Sequence, residues 1–122
     1  MLMTDATITI RNLRLRTYIG FKPEELEKKQ DVIINTSISY AANHACATDE
    51  AENALDYKVI TKSIIGLVES GRFKLLEKLC ADVLSNIAEN HFVTKVSVTI
   101  EKPHALRFAD SVSVTLSAKR SE

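Results

Sequence analysis

Glycine and proline are scarce in this sequence, with only three Gly and two Pro among 122 residues. Because these residues interrupt regular structure, their scarcity predicts long helices and strands. No apolar run approaches the roughly 18 residues that a membrane-spanning helix needs, so we expect no membrane partner. The segment from Met1 to Ala6 lacks a basic stretch followed by an apolar one. We therefore expect no secretory signal and a cytoplasmic location.

Cysteines and unbalanced charge are also lacking. Cys46 and Cys80 are the two cysteines, and neither belongs to a CxxC pattern, which argues against a disulfide framework or a zinc knuckle. We interpret Cys80 as a core residue, because it falls on the apolar stripe of a predicted helix. Sixteen basic residues balance sixteen acidic ones, and the few aromatics are not interleaved with a basic patch. This composition predicts no nucleic-acid partner.

The length fits one domain, and we expect a single domain over residues 1–122. Apolar alternation from Thr7 to Ile19 predicts a strand, and its change of phase at Arg11–Asn12 indicates a bulge. Residues 32–40 alternate without interruption and predict a second strand. Two more alternating segments, near residues 95–100 and 111–116, predict the last two strands.

The middle of the chain has helical periodicity instead. Asp56 is a candidate N-cap for a helix that carries apolar residues up to Val68. A second helix, from Leu75 to Ala88, has a broad apolar stripe. The predicted order is therefore ββααββ, which indicates an α+β fold. In it, both helices cover the apolar face of a four-stranded antiparallel sheet.

The opposite face of this sheet is unusually rich in small hydroxyl-bearing residues. They are Asn35, Ser37, Ser39, Ser97, Thr99, Ser111, Ser113 and Thr115. A solvated face more often carries Lys and Glu, so we infer that sheets of several subunits join into an oligomeric β-barrel with a narrow polar interior. An ordinary solvated sheet is the alternative.

Five short motifs resemble, in order and spacing, those of the dihydroneopterin aldolase family. They are Ile19–Gly20 with Glu25, Gln30 at the end of that loop, Leu55–Asp56–Tyr57, Phe73 to Glu77, and Glu101–Lys102–Pro103. Residues 104–113 and 12–16 depart from the usual aldolase pattern and resemble the family's dihydroneopterin triphosphate epimerase branch. Asp56 also departs, because aldolases more often have Asn or Ser there.

The resemblance implies the tunnelling fold (T-fold), in which subunits form a ring around a barrel. It implies a homo-oligomer, a tetrameric ring usually stacked as an octamer, with active sites between neighbouring subunits. It also implies a small-molecule pterin substrate and a carbon–carbon bond cleavage that needs neither a metal nor an organic cofactor. The N5=C6 imine of the substrate accepts the electrons, so the protein supplies positioning and proton transfer.

For ring binding, the resemblance implies that Glu77 anchors the pterin, with Leu75 and Leu76 beside it. A carboxylate accepts two parallel N–H bonds, and a position in the first turn of a helix favours its ionised form. For catalysis, Lys102 is the candidate base or the residue that orients a water, which as a direct base would need a depressed pKa. Tyr57 is the candidate proton donor, reaching in from a neighbouring subunit.

The remaining candidates concern the substrate's side chain. Glu25 is expected to orient its hydroxyls or a water. Arg107 and His104, with Lys22 or Arg72 as further options, are expected to hold phosphates, because Arg binds phosphate oxygens in a bidentate way. Without the resemblance, solvated charges and packed aromatics are the simpler interpretations.

The function that this implies is inversion of C2' in dihydroneopterin triphosphate by retro-aldol and aldol steps, with weak aldolase activity. A plain aldolase, releasing glycolaldehyde and 6-hydroxymethyl-dihydropterin, is the first alternative. A non-catalytic assembly or binding module is the second, because a fold alone does not imply a function. A metal enzyme is the third. His44 and Cys46 are close in sequence, but no third ligand has convincing spacing, so we expect no metal.

Overall fold

The computed structural model describes residues 1–121, and its main elements follow the predicted order. The strands are β1 (Ala6–Ile19), β2 (Gln30–Tyr40), β3 (Arg72–Phe73), β4 (Val93–Pro103) and β5 (Ser111–Lys119). The helices are α1 (Pro23–Leu26), α2 (Asn43–Thr48), α3 (Tyr57–Glu69) and α4 (Leu76–Ala88), with a 3₁₀ turn at Ala51–Asn53. Among these residues, no helix is long and apolar enough to cross a membrane.

The sheet has five strands in the order β3-β1-β2-β4-β5, so the predicted count of four was too low by one. The four predicted strands pair antiparallel, as expected. The additional strand β3 pairs parallel with the end of β1, where Tyr18 lies opposite Arg72 and Ile19 opposite Phe73. Two residues are too few to produce a hydrophobic alternation, which is why the sequence pattern did not reveal this strand.

The predicted bulge in β1 is confirmed. The register with β2 shifts between Ile10 and Leu13, and Asn12 has a φ of 53°. The backbone N–H of Asn12 donates to the side-chain oxygen of Asn35 at 2.8 Å, which gives the displaced peptide a partner. The extra residue keeps apolar side chains on the core face both before and after the bulge.

The core lies between one face of the sheet and helices α3 and α4, as the amphipathic patterns predicted. Cys80 is fully buried there, and its thiol donates to the carbonyl of Val98 at 3.3 Å, which confirms its assignment to the core. Burial raises the pKa of the Cys80 thiol. Thr17 is also buried, and its hydroxyl donates to the carbonyl of Val68 at 2.6 Å, tying β1 to the end of α3.

The opposite face carries the predicted hydroxyl groups, and several of them pair across strands. Thr99 and Thr115 approach to 2.7 Å, and Ser117 donates to Ser97 at 3.0 Å. In the single chain this face is half-buried at most of these positions, and Ser113 and Thr115 are exposed. Closure of several such sheets into a barrel therefore stays a prediction.

Candidate active site

The end of β1 is joined to the segment that leads into α4. Gly20 follows β1 with a φ of 129°, a backbone conformation that side chains disfavour. Its N–H donates to the carbonyl of Phe73 at 2.8 Å, which continues the pairing between β1 and β3 by one residue. The first family motif, at residues 19–25, is thereby placed beside the motif at residues 73–77.

The carboxylate of Glu25 lies at the centre of a hydrogen-bond cluster. Its Oε2 accepts from Lys102 Nζ at 3.0 Å and from Gln30 Nε2 at 3.2 Å. Its Oε1 accepts from the backbone N–H of Lys22 at 3.3 Å. Gln30 also donates to the carbonyl of Ile19 at 2.6 Å, so it fixes the carboxylate relative to β1. The cluster brings together Glu25 and Lys102, which are 77 positions apart in the sequence.

Gly20 is needed for this arrangement because the Glu25 carboxylate packs directly over its Cα. A Cβ at position 20 would overlap both carboxylate oxygens of Glu25 and their carbon. The position therefore requires glycine on two grounds, the positive φ and the close approach of a charged side chain.

The pair formed by Lys102 and Glu25 is sheltered, with side chains 16% and 21% exposed. The hydrogen bond from Lys102 lowers the pKa of Glu25 from 4.5 to about 2, against the opposing effect of partial burial, and Gln30 adds to the lowering. Glu25 is therefore ionised at neutral pH.

Replacing Glu25 with Gln is expected to destabilise the protein at pH 7 by on the order of 1–2 kcal/mol, after allowance for solvent screening. Because the folded-state pKa of Glu25 lies below its unfolded value, the stabilisation is present above about pH 4.5 and is lost as the pH falls towards 2. Urea unfolding at pH 7 and pH 3 checks this. A stability difference between wild type and variant that does not shrink in acid would contradict it.

A cavity of about 190 Å³ lies beside the Glu25 carboxylate, and Glu25, Gly20, Phe73 and Lys74 contribute to its walls. Tyr18 and Arg72 form another wall, with the guanidinium carbon 3.8 Å from the centre of the ring. Arg72 also donates to the carbonyl of Leu26 at 3.3 Å. A larger cavity of about 370 Å³ lies beside the same carboxylate, so Glu25 borders both cavities.

Glu77 lies where the sequence predicted, in the first turn of α4. Leu75 is the N-cap and is 49% exposed, whereas Leu76 is buried. Phe73 and Lys74, which line the smaller cavity, lead directly into this turn. Among residues 1–121, no hydrogen bond joins Glu77 to the Glu25 cluster. The ring-binding role of these three residues therefore stays a prediction.

Two other predicted residues lie apart from the cluster, and a third lies close to it. Tyr57 is 52% exposed at the start of α3, where Asp56 caps the helix by accepting the N–H of Lys58 at 3.1 Å. Arg107 is exposed in the loop between β4 and β5 and lines neither cavity. His104, two residues after Lys102, lines the larger cavity.

Comparison with known proteins places this geometry in a family. A family model described as FolB dihydroneopterin aldolase matches residues 8–117. The chain belongs to the dihydroneopterin aldolase family. It is 52% identical over 120 residues to the dihydroneopterin triphosphate 2'-epimerase of Escherichia coli K12, covering 98% of this chain and 100% of that protein. It is 50% identical to the Pseudomonas aeruginosa protein of the same name, covering 94% of each.

The family fold, the tunnelling fold, is confirmed by a solved structure. The crystal structure of Escherichia coli dihydroneopterin aldolase in complex with neopterin superposes with a TM-score of 0.88, covering 93% of this chain and 98% of that one. The sequence identity is 23%, so the likeness concerns the fold. The predicted α+β arrangement of sheet and helices is that of the dihydroneopterin aldolase family.

Some residues of this family member's candidate site were missed in the sequence analysis. Lys28 and Lys29 line the larger cavity, and Tyr18 lines the smaller one. The signal was available, because both lysines lie between the motif residues Glu25 and Gln30. The sequence did not show which way these lysine side chains point, because the loop has no hydrophobic periodicity.

The metal alternative drew on His44 and Cys46, which lie on the short helix α2, where both are exposed. In the part of the chain that the structure describes, no three side chains of the types His, Cys, Asp and Glu converge into a possible metal site.

Proposed function

We propose that this member of the dihydroneopterin aldolase family is a 2'-epimerase that converts 7,8-dihydroneopterin triphosphate into dihydromonapterin triphosphate. The observation that carries the proposal is the sheltered pair of Glu25 and Lys102, 3.0 Å apart, in which Glu25 lines a cavity together with Phe73 and Lys74. The names of the relatives that are 50% and 52% identical support the choice of reaction.

In this proposal, the carboxylate of Glu77 accepts the two parallel N–H bonds that N3 and the 2-amino group of the pterin present. That carboxylate lies in the first turn of α4, at the positive end of the helix dipole. Leu75, as N-cap, has no side-chain acceptor for the first amides of the helix. Those amides remain free to bind a ring oxygen beside Leu76.

The chemical step begins at the 2'-hydroxyl group. As its proton is lost, C2' becomes an aldehyde carbon, the C1'–C2' bond breaks, and the electron pair passes into the N5=C6 imine. The ring thus stores the electrons without any cofactor. The aldehyde fragment then turns over, C1' attacks its opposite face, and a proton returns to the oxygen on the inverted C2'.

Lys102 is assigned to the charge that develops on the 2'-oxygen. Its ammonium is held by Glu25 at 3.0 Å, so it acts as a hydrogen-bond donor to the developing oxyanion. A water positioned by Glu25 and Lys102 accepts the proton, which is the water-orienting form of the roles predicted for both residues. A direct base role would give up the hydrogen bond that Lys102 donates to Glu25.

Tyr57 is assigned to a neighbouring subunit's active site, because its side chain is half exposed and away from both cavities of its own chain. It would donate a proton to C1' when the aldehyde escapes, which completes aldolase chemistry rather than epimerisation. A homo-oligomer, as a tetrameric ring or a stacked octamer in the cytoplasm, is part of this proposal. The hydroxyl-rich sheet face would line its barrel.

A chiral assay decides between the proposed function and its alternatives. Wild-type protein given dihydroneopterin triphosphate should yield the 2'-epimer, with only weak release of aldehyde. Replacing Glu77 with Gln should lower kcat/KM about 100-fold or more, because one ring contact becomes a mismatched donor. Glu52→Gln, on the exposed 3₁₀ turn, is the matched control.

Product with unchanged configuration and stoichiometric aldehyde would establish the plain aldolase. No turnover of either the triphosphate or dihydroneopterin, by correctly folded protein, would establish a non-catalytic role.

A further inference from the structure

The larger cavity is about 370 Å³ in volume, and none of its lining residues belongs to α4. Glu25 borders both cavities, and the walls of the larger one otherwise come from different segments. One wall is the loop that carries Lys28 and Lys29, and another is formed by Pro103 and His104, just after Lys102. A ligand that extends from the smaller cavity past Glu25 therefore enters the larger cavity.

Two of the three carboxylates around this cavity are already neutralised. Asp31 pairs with Arg16 at 3.0 Å, and Glu25 pairs with Lys102 at the same distance. Glu24 is the third carboxylate on the wall, and it faces solvent.

The positive charge of Lys28 and Lys29 exceeds the remaining negative charge of Glu24. Among the described residues, Lys28 and Lys29 have no salt bridge. The ammonium of Lys29 donates to the carbonyl of Glu69 at 3.4 Å and lies 5.9 Å from the centre of the Tyr18 ring. The cavity therefore has a net excess of positive charge.

We propose that this cavity is the subsite for the triphosphate group, and that Lys28 and Lys29 are its principal phosphate-binding residues. The subsite rests on the proposed function, because the orientation of the substrate is taken from that function. With the ring bound by Glu77 and the C1'–C2' bond at Glu25 and Lys102, the phosphorylated C3' extends past Glu25, which borders both cavities. The larger cavity is the space that receives it.

The subsite explains how one active site retains the fragment that an aldolase releases. After cleavage, the aldehyde carries all the phosphates, so phosphate contacts hold it without touching the pterin. The aldehyde carbon can then rotate next to Lys102 while its phosphates stay fixed by the loop. Retention thus depends on residues that lie on the same loop as Glu25, within five positions of it.

Inorganic triphosphate is the probe that tests the subsite without chemistry. Calorimetry at low salt should show binding to the wild type, weakened at least tenfold in Lys28→Ala/Lys29→Ala. The double variant Lys62→Ala/Lys119→Ala removes the same charge from exposed positions on α3 and β5, outside both cavities, and should retain wild-type affinity. Equal weakening in both double variants would overturn the proposal, because it would show that only net charge matters.

Kinetics provide a second readout. In Lys28→Ala/Lys29→Ala, the ratio of KM for dihydroneopterin triphosphate to KM for dihydroneopterin should rise at least tenfold, and more aldehyde should escape per turnover. An unchanged ratio with normal epimerisation overturns the subsite and leaves the proposed function standing. Lysine-dependent binding of inorganic triphosphate without any epimerisation supports the subsite and refutes the proposed function. Thermal unfolding of each variant shows whether a loss of binding or activity comes from a loss of folding.

Discussion

Replacing Gly20 with Ala is expected to lower kcat about 100-fold in a protein that still folds. The new Cβ would overlap the Glu25 carboxylate, so Glu25 must leave its position between Gln30 and Lys102. A displacement of about 1 Å in a catalytic group is enough for a rate loss of this size. The φ of 129° adds backbone strain of roughly 1–3 kcal/mol, which should appear as a lower melting temperature.

Gly66 provides the matched control for this substitution. It lies within α3, and a Cβ there would meet no atom within 4 Å. Gly66→Ala should therefore raise the free energy of unfolding by roughly 0.5–1 kcal/mol, through higher helix propensity, without changing kcat. Near-wild-type turnover by Gly20→Ala, measured beside this control, would show that the Glu25 position is not needed for catalysis.

The secondary structure was predictable wherever a long periodic pattern existed. The bulge in β1 followed from the phase change at Arg11–Asn12, and the cap of α3 followed from Asp56. The two-residue strand β3 was not predictable, although it matters for function. Its pairing with β1 is long-range and local sequence does not encode it, yet it joins Gly20 to the segment before Glu77.

The candidate site was predictable only in part, for a related reason. Motif resemblance named Glu25 and Lys102, and the fold brings them to 3.0 Å. That the ammonium of Lys102 is held as a hydrogen-bond donor by Glu25 could be learned only from the geometry of the pair. The resemblance placed Tyr57 in a neighbouring subunit's site, and within one chain that residue lies away from the cluster. Contacts between subunits depend on surfaces that sequence periodicity does not describe.

Replacing Lys102 with Ala is expected to lower kcat by about 10²- to 10⁴-fold, because the developing charge on the 2'-oxygen loses its hydrogen-bond donor. Ring affinity should change little, since Glu77 lies on another element. Stability should fall by on the order of 1–3 kcal/mol, because Glu25 remains sheltered without its partner. Lys95→Ala, seven positions earlier on β4 and exposed, is the control for loss of a lysine from the same strand.

The double variant Glu25→Gln/Lys102→Ala tests whether the two residues act as one unit. If the carboxylate works by holding the ammonium and its water, removing Glu25 after Lys102 should cost little further activity, and the two losses should be far from additive. Single-turnover rates of the four proteins, each saturated with dihydroneopterin triphosphate, give this coupling directly. Fully additive losses would mean that the 3.0 Å contact is structural and that the two side chains serve separate steps.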